Sequence, residues 1–174
     1  MPARLAHFLL ALLVCCAVAS PAAASVEIAF YSRELGGSNF PHAFVRLRGT
    51  VDGTGEAVNA SYGFTARSIS PGILFGSVEG EVIDEDEANI ARSDRQFSIT
   101  LDDTRYRAVI ATVERWRNRS QPSYSLSRRN CVHFVAELAA SAGLRVDQPR
   151  RLMKKPRSFL QHIRDLNRAL LISG

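Results

Sequence analysis

The sequence predicts an α+β fold in which an antiparallel sheet from the N-terminal half packs against helices from the C-terminal half. Up to about residue 101, apolar and polar residues alternate, which is the period of half-buried strands. Beyond that point, apolar residues recur at spacings of three and four, which is the period of an amphipathic helix. The chain has 174 residues, enough for one domain with a core of its own.

Turn-forming residues separate the predicted strands. The run Asp-Gly-Thr-Gly at 52–55 favours a hairpin, and Pro71-Gly72 marks a second turn. The acidic run at 84–87 is predicted to be an exposed loop. The strands predicted from the alternation and from these turns are 26–31, 42–49, 56–64, 78–83 and 96–101.

Three helices are predicted in the C-terminal half. The first covers 103–118, where Asp102 and Asp103 cap an apolar face that ends near Trp116. The second begins at Cys131 and is closed by Gly143. The third covers 156–172 and begins at Pro156, a residue that suits the first turn of a helix.

The N-terminus is typical of a secretory signal peptide. Arg4 precedes an apolar run at 8–18, and three alanines at 22–24 form a small-residue cleavage site. The apolar run is too short for a confident membrane span. We therefore expect residues 1–24 to be removed on export to the periplasm or medium, which leaves a single domain over 25–174.

The chain is basic, with a net charge of +5, and its basic residues concentrate near the C-terminus. A solvated basic surface is the simplest interpretation. The alternative is docking on an anionic envelope surface, either lipid or acidic wall polymer. No nucleic-acid-binding motif is present, and neither an HExxH nor a paired CxxC metal motif occurs, so no cofactor, metal or nucleic acid is predicted. The basic residues concerned are Arg145, Arg150, Arg151, Lys154, Lys155, Arg157, Arg164 and Arg168.

Cys131 is the best candidate for a reactive group. Cys15 and Cys16 lie in the predicted signal peptide, so Cys131 has no partner for an internal disulfide after export. It follows Asn130, a capping residue, at the start of a helix, where free N–H groups and the helix dipole favour a thiolate. Arg129 adds positive potential nearby. The alternative is a small, buried and inert cysteine.

A thiol nucleophile requires a base, usually histidine, and often a third polar group that orients the imidazole. His42 opens a strand directly after a loop and can face a helix N-terminus across a cleft, so it is the preferred base. His133 lies two residues beyond Cys131 on the same helix and points to another side; it is kept as an alternate. His162, on the last helix, is expected at the surface.

These motifs resemble the circularly permuted branch of the NlpC-type papain-like superfamily, which includes lecithin:retinol acyltransferase-like and PPPDE-like proteins. The segment PHAFVRL at 41–47 resembles the histidine strand of that branch, and RNCVHFVAEL at 129–138 resembles its nucleophile helix. The resemblance covers residues 40–144. It implies a papain-like fold with the nucleophile at a helix N-terminus. The orienting residue is then expected on the strand after His42, where Asn59 matches and Ser61, on the same face, is the alternate.

The resemblance implies an exported thiol hydrolase that acts through a thioester. Cys131 would attack a carbonyl carbon, His42 would transfer protons, and backbone N–H groups at the helix start near Asn130 would hold the oxyanion. An amidase or peptidase of cell-wall peptides is the first expectation. Two alternatives stay open: an acyltransferase or lipid-ester hydrolase of the same fold, and a non-catalytic envelope binding domain in which Cys131 is inert.

Overall fold

The computed structural model describes residues 25–34, 40–68 and 70–172. The predicted signal peptide at 1–24 lies outside these residues. The described chain is an α+β protein built on a five-stranded antiparallel sheet, as the change of period predicts. Its strands are β1 (Val26–Arg33), β2 (His42–Thr50), β3 (Ala57–Ala66), β4 (Gly80–Ile83) and β5 (Asp94–Leu101), in the spatial order β4-β3-β2-β1-β5.

Strand β2 is the central strand and is buried on both faces from His42 to Leu47. Ala43, Val45 and Leu47 belong to the main apolar core. The alternating residues, which include His42 and Arg46, contact acidic residues from the segment after β4. The sequence predicts one exposed face for this strand; the second face is instead covered by residues 84–90, and this cover forms one wall of the candidate site.

Three helices pack on the core face of the sheet: α2 (Asp103–Arg117), α3 (Cys131–Ser141) and α4 (Pro156–Leu166). α3 contacts β2 and β3, α2 packs against α3, and α4 contacts β1 and β5. No helix in the described ranges is both long enough and apolar enough to cross a membrane. The helices are α1 (Glu87–Ala91), α2 (Asp103–Arg117), α3 (Cys131–Ser141), α4 (Pro156–Leu166) and α5 (Arg168–Ile172), with short 3-10 turns at Pro71–Leu74 and Arg150–Leu152.

An aromatic cluster fixes α3 relative to α2 and the sheet. The Trp116 ring packs edge-on against Phe64 at 4.7 Å and against Phe134 at 5.2 Å between ring centroids. The Trp116 indole Nε1–H donates to the Glu137 carboxylate at 2.9 Å, so its polar atom is satisfied. Rings of this size dominate the burial of a small core, so they set where the N-terminus of α3 lies.

The C-terminal helix predicted at 156–172 is two helices in the structure, α4 and α5, with a break at Asn167. The Asn167 side chain is buried and donates to the carbonyl oxygens of Arg145 and Ile163, each at 2.8 Å. It also accepts from the Arg145 N–H at 2.8 Å. These side-chain bonds to a neighbouring segment compete with continued helix, which the apolar period alone did not reveal.

Candidate active site

The start of α3 is held in place by the Asn130 side chain. Its Oδ1 accepts from the N–H groups of Val132 at 2.9 Å and His133 at 3.3 Å, as an N-cap does. Its Nδ2 donates to the carbonyl oxygens of Leu126 at 2.9 Å and Met153 at 2.8 Å. Asn130 thus ties the helix start to two loops, and its amide hydrogens are already used.

Cys131 is the first residue of α3 and is a free thiol. Only 6% of the residue is exposed, and it lies in the wall of a cleft of about 360 Å³. The four first N–H groups of a helix have no intrahelical acceptor. Those of Val132 and His133 are taken by Asn130, whereas no acceptor for the Cys131 N–H lies within the described residues. The thiol therefore stands beside a backbone donor that points out of the helix start.

His42 lines the same cleft as Cys131 and contacts a buried carboxylate. Its Nε2 is 3.0 Å from Glu85 Oε1. The side chains of His42 and Glu85 are 10% and 1% exposed. The structure thus brings together a thiol, an imidazole and a carboxylate, which are the components of a nucleophile activated by a base and an orienting group.

The surroundings of His42 favour its positive form. Burial by itself lowers the pKa of His42, because it penalises the charged ring, but the hydrogen bonds to Cys131 and Glu85 and the negative charge on both groups outweigh this penalty. The net result raises the pKa of His42 to about 9. At neutral pH the ring is therefore an imidazolium.

Ser61 holds the backbone that carries Glu85. The Ser61 Oγ accepts from the Glu85 N–H at 2.8 Å. Its single hydrogen has two acceptors within reach, the Asp84 carboxylate and the Glu85 carbonyl oxygen. The Ser61 N–H also donates to Asp84 Oδ1 at 3.1 Å. Ser61 is 3% exposed, so these bonds form in a dry environment. Ser61 therefore acts on the site through Glu85.

Gly63 leaves the space that the His42–Glu85 contact occupies. A Cβ at this position would lie 2.6 Å from His42 Nε2 and 3.0 Å from Glu85 Oε1. Distances this short are repulsive, so any larger residue would displace the ring or the carboxylate. Gly63 lies opposite Phe44 in the β2–β3 pairing, and Phe44 is two residues from His42 on β2.

Tyr124 lines the cleft beside the thiol. Burial raises the pKa of Tyr124 above its ordinary range, and the negative charge at Cys131 raises it further. The phenol therefore remains protonated and able to donate a hydrogen bond. Its segment is fixed to the sheet region by paired backbone bonds of 2.9 Å between Tyr124 and Val78.

The structure places Asn59 away from the other predicted site residues. Asn59 is exposed and lies opposite Arg48, near the far end of the β2–β3 pair. Its Oδ1 accepts from Arg46 at 3.3 Å and Arg48 at 3.4 Å. The contact to His42 that was expected of Asn59, or of its alternate Ser61, is made by Glu85.

Glu85 was missed because it lies in the acidic run that was predicted to be an exposed loop. That prediction is wrong for Glu85, which is 6% exposed, although Asp84, Asp86 and Glu87 are exposed. Four consecutive acids carry no periodic signal that marks one of them as buried. The only indication in the sequence is that this run directly follows the last residue of a strand.

The remaining candidates support the site from outside it. The Arg129 guanidinium Nε donates to the Ser123 carbonyl, which secures the loop before α3. His133 Nδ1 accepts from the Asn130 N–H at 3.3 Å and completes the capping box; burial lowers the pKa of His133. His162 pairs with Asp147 at the surface. None of these three side chains lines the cleft.

The cleft walls are largely apolar and carry two cations. The exposed side chains of Phe40 and Leu74 lie at the mouth, and Phe75, 88% exposed, follows directly. Arg33 and Lys154 are the cations. In the described ranges, no group of three His, Cys, Asp or Glu side chains is arranged to hold a metal ion. Further apolar lining residues are Pro41, Ile73, Ile83, Leu126, Val132 and Pro156.

The C-terminal basic residues do not form one uniform patch. Arg157 pairs with Glu34 and Asp94, and Arg164 and Arg168 both pair with Asp165. Lys154 instead lies in the wall of the cleft. The docking of this region on an anionic envelope surface therefore stays a prediction, and part of its positive charge is already neutralised.

Comparison with known proteins assigns no family to the chain: no protein-family model, no curated protein and no solved structure matches it.

Proposed function

We propose that this protein is an exported thiol hydrolase of the permuted papain-like type, with Cys131 as nucleophile, His42 as the proton-transferring group and Glu85 as the residue that orients and charges His42. The observation that carries the proposal is a buried imidazole that lies 3.0 Å from a buried carboxylate and lines the same cleft as a thiol at a helix N-terminus. A structural cysteine needs neither partner, whereas an activated thiolate uses both.

The reaction proceeds through a thioester. The Cys131 thiolate attacks the substrate carbonyl carbon and forms a C–S bond, and the carbonyl electron pair moves to the oxygen. The imidazolium of His42 gives its proton to the leaving amine or alcohol as the C–N or C–O bond breaks. Since Nε2 faces Glu85, Nδ1 is the ring nitrogen left to serve the thiol. Water then gives a proton to His42 and attacks the thioester, which releases a carboxylic acid and restores the ion pair.

Two donors are available for the oxyanion. The Cys131 N–H has no acceptor within the described residues, and the Tyr124 phenol remains protonated beside the thiol. A donor that stabilises charge only in the transition state lowers the barrier without tightening substrate binding. Asn130, which was expected here, contributes through the backbone it fixes, because its amide group is saturated.

The substrate class divides into two candidates. Amide bonds of cell-wall peptides follow from the predicted export and the resemblance. Acyl esters are favoured by the cleft itself, whose lining is mostly apolar and whose mouth exposes Phe40 and Leu74. Both reactions use the same thioester, so a screen of wall peptides against acyl esters of increasing chain length separates them. The third candidate, a non-catalytic envelope domain, predicts no turnover of either.

The decisive experiment is the pH dependence of iodoacetamide labelling at Cys131, in a protein carrying Cys15→Ser and Cys16→Ser so that one thiol remains. We expect rapid labelling that persists well below pH 8, because the imidazolium of His42 stabilises the thiolate. His42→Ala should abolish this low-pH reactivity. His162→Ala, which removes a surface histidine, is the matched control and should label like the parent. A thiol that ignores His42 would refute the catalytic proposal.

A further inference from the structure

The charges that line the cleft do not balance. Arg33 at the end of β1 and Lys154 before α4 both line it, and Glu85 is the only acid among its described lining residues. In the proposed active form, the His42 imidazolium and the Cys131 thiolate cancel each other. Glu85 then offsets one of the two remaining cations, so one positive charge has no counterpart in the cleft.

Neither cation is satisfied by its neighbours. Arg33 Nη1 is 3.7 Å from Glu85 Oε2, which is too long for a hydrogen bond. Its Nε and Nη1 are buried and have no hydrogen-bond partner within the described residues. Because the side chain is only 15% exposed, solvent has little access to these donors. Lys154 forms no ion pair with any residue that the structure describes. Buried guanidinium donors without acceptors are costly, and such groups are usually completed by a ligand, water or ion.

We propose that Arg33 and Lys154 form a subsite for an anionic oxygen group of the substrate, a carboxylate or a phosphate, next to the reacting carbonyl. The subsite rests on the proposed function and specifies its substrate class: a carbonyl compound that carries an anionic group and an apolar arm. The planar guanidinium accommodates two oxygens at once, and the lysine supplies a mobile point charge. The apolar arm fits against Ile73, Leu74 and Ile83 on the remaining wall.

Two alkylating agents of similar size measure this subsite directly. Iodoacetate carries a carboxylate and iodoacetamide does not, so the ratio of their rates at Cys131 reports the local attraction for an anion. We expect Lys154→Gln to lower the iodoacetate-to-iodoacetamide ratio about 3- to 10-fold, because the ratio cancels any change in the reactivity of the thiol itself. Lys155→Gln is the matched control, because Lys155 is adjacent, equally charged and outside the cleft lining. Arg33→Gln should lower the ratio further.

Equal ratios in Lys154→Gln and Lys155→Gln would overturn the subsite. This failure is distinct from that of the proposed function, which is tested by the dependence of iodoacetamide labelling on His42. A second measurement does not need a reactive thiol: millimolar acetate and phosphate, compared with chloride at equal ionic strength, should raise the Tm of the parent and of Lys155→Gln but not of Lys154→Gln. A larger shift with acetate indicates a carboxylate substrate and a larger shift with phosphate a phosphorylated one, whereas no shift with either contradicts the proposal.

Discussion

Glu85 and Glu87 lie two residues apart in one acidic run, yet they form two different kinds of ion pair on the same strand. Glu85 contacts His42 with a side chain that is 1% exposed. Glu87 pairs with Arg46, and its side chain is 72% exposed. The hydrogen bond from Arg46 lowers the pKa of Glu87, so this carboxylate is ionised at neutral pH.

The difference shows that solvent exclusion, and not charge alone, makes a carboxylate useful to the site. At Glu87 the carboxylate is exposed although Arg46 is buried, so water screens the attraction. At Glu85 the carboxylate is 1% exposed and acts on a ring that is 10% exposed, and it helps raise the pKa of His42 to about 9. The segment after β4 therefore buries one acid of the run against His42 and leaves the other three exposed.

The largest effect is expected from removing the charge of Glu85. Glu85→Gln keeps the side-chain volume but leaves the imidazolium with a neutral partner, so we expect a loss of hydrolase activity on the order of 10²- to 10⁴-fold. Glu87→Gln is the matched control and should change activity less than about twofold. Steady-state rates of the two variants under identical conditions test this prediction. Equal losses of activity would show that Glu85 does not act on His42 in a way that Glu87 does not.

The pH dependence of activity and stability shows in which direction Glu85 shifts the pKa of His42. The folded-state pKa of His42, about 9, lies above its ordinary value of 6.5, so the protonated ring stabilises both the active ion pair and the fold. This stability is fully present below pH 6.5 and is lost as the pH rises through about 9. Glu85→Gln removes a cause of the upward shift, so the alkaline limb of kcat/KM should move to lower pH. A limb that does not move in Glu85→Gln would mean that another group sets it.

An intermediate effect is expected from filling the space beside the His42–Glu85 contact. Gly63→Ala places a methyl group 2.6 Å from His42 Nε2, so the ring or the carboxylate must shift. We expect about a 10- to 100-fold loss of activity and a destabilisation of about 1–3 kcal/mol. Gly76→Ala is the control, since a Cβ there meets nothing within 4 Å. Activity assays and denaturant unfolding measure the two quantities, and similar results for both alanines would contradict the close contact.

The sequence was sufficient for the strands and for the start of α3, but it predicted neither α1 nor the break between α4 and α5, nor what covers β2. Period and turn residues predicted all five strands, and Asn130 before Cys131 predicted the helix start that the structure shows. They could not reveal that β2 is buried on both faces, because the second cover is a short acidic segment and not an apolar one. The third site residue was therefore expected on β3, at Asn59, whereas it comes from the segment that follows β4.

The smallest effects separate the two β3 residues that were expected to orient His42. Ser61→Ala removes the hydroxyl that fixes the Glu85 backbone, so we expect about a 3- to 10-fold loss of activity and about 1–3 kcal/mol of stability. Since Ser61 acts through Glu85, the alkaline limb of the pH profile should shift as well, and Ser61→Thr should restore it in part.

Asn59→Ala should change neither activity nor the pH profile, and stability should stay within about 0.5 kcal/mol, because the exposed amide only accepts long hydrogen bonds from Arg46 and Arg48. Parallel pH–rate profiles of the Ser61 and Asn59 variants make the test. If Asn59→Ala shifts the alkaline limb and Ser61→Ala does not, the orienting group lies on β3 after all. A shift confined to Ser61→Ala assigns that group to the segment after β4, where burial of one acid among four determines whether His42 is charged.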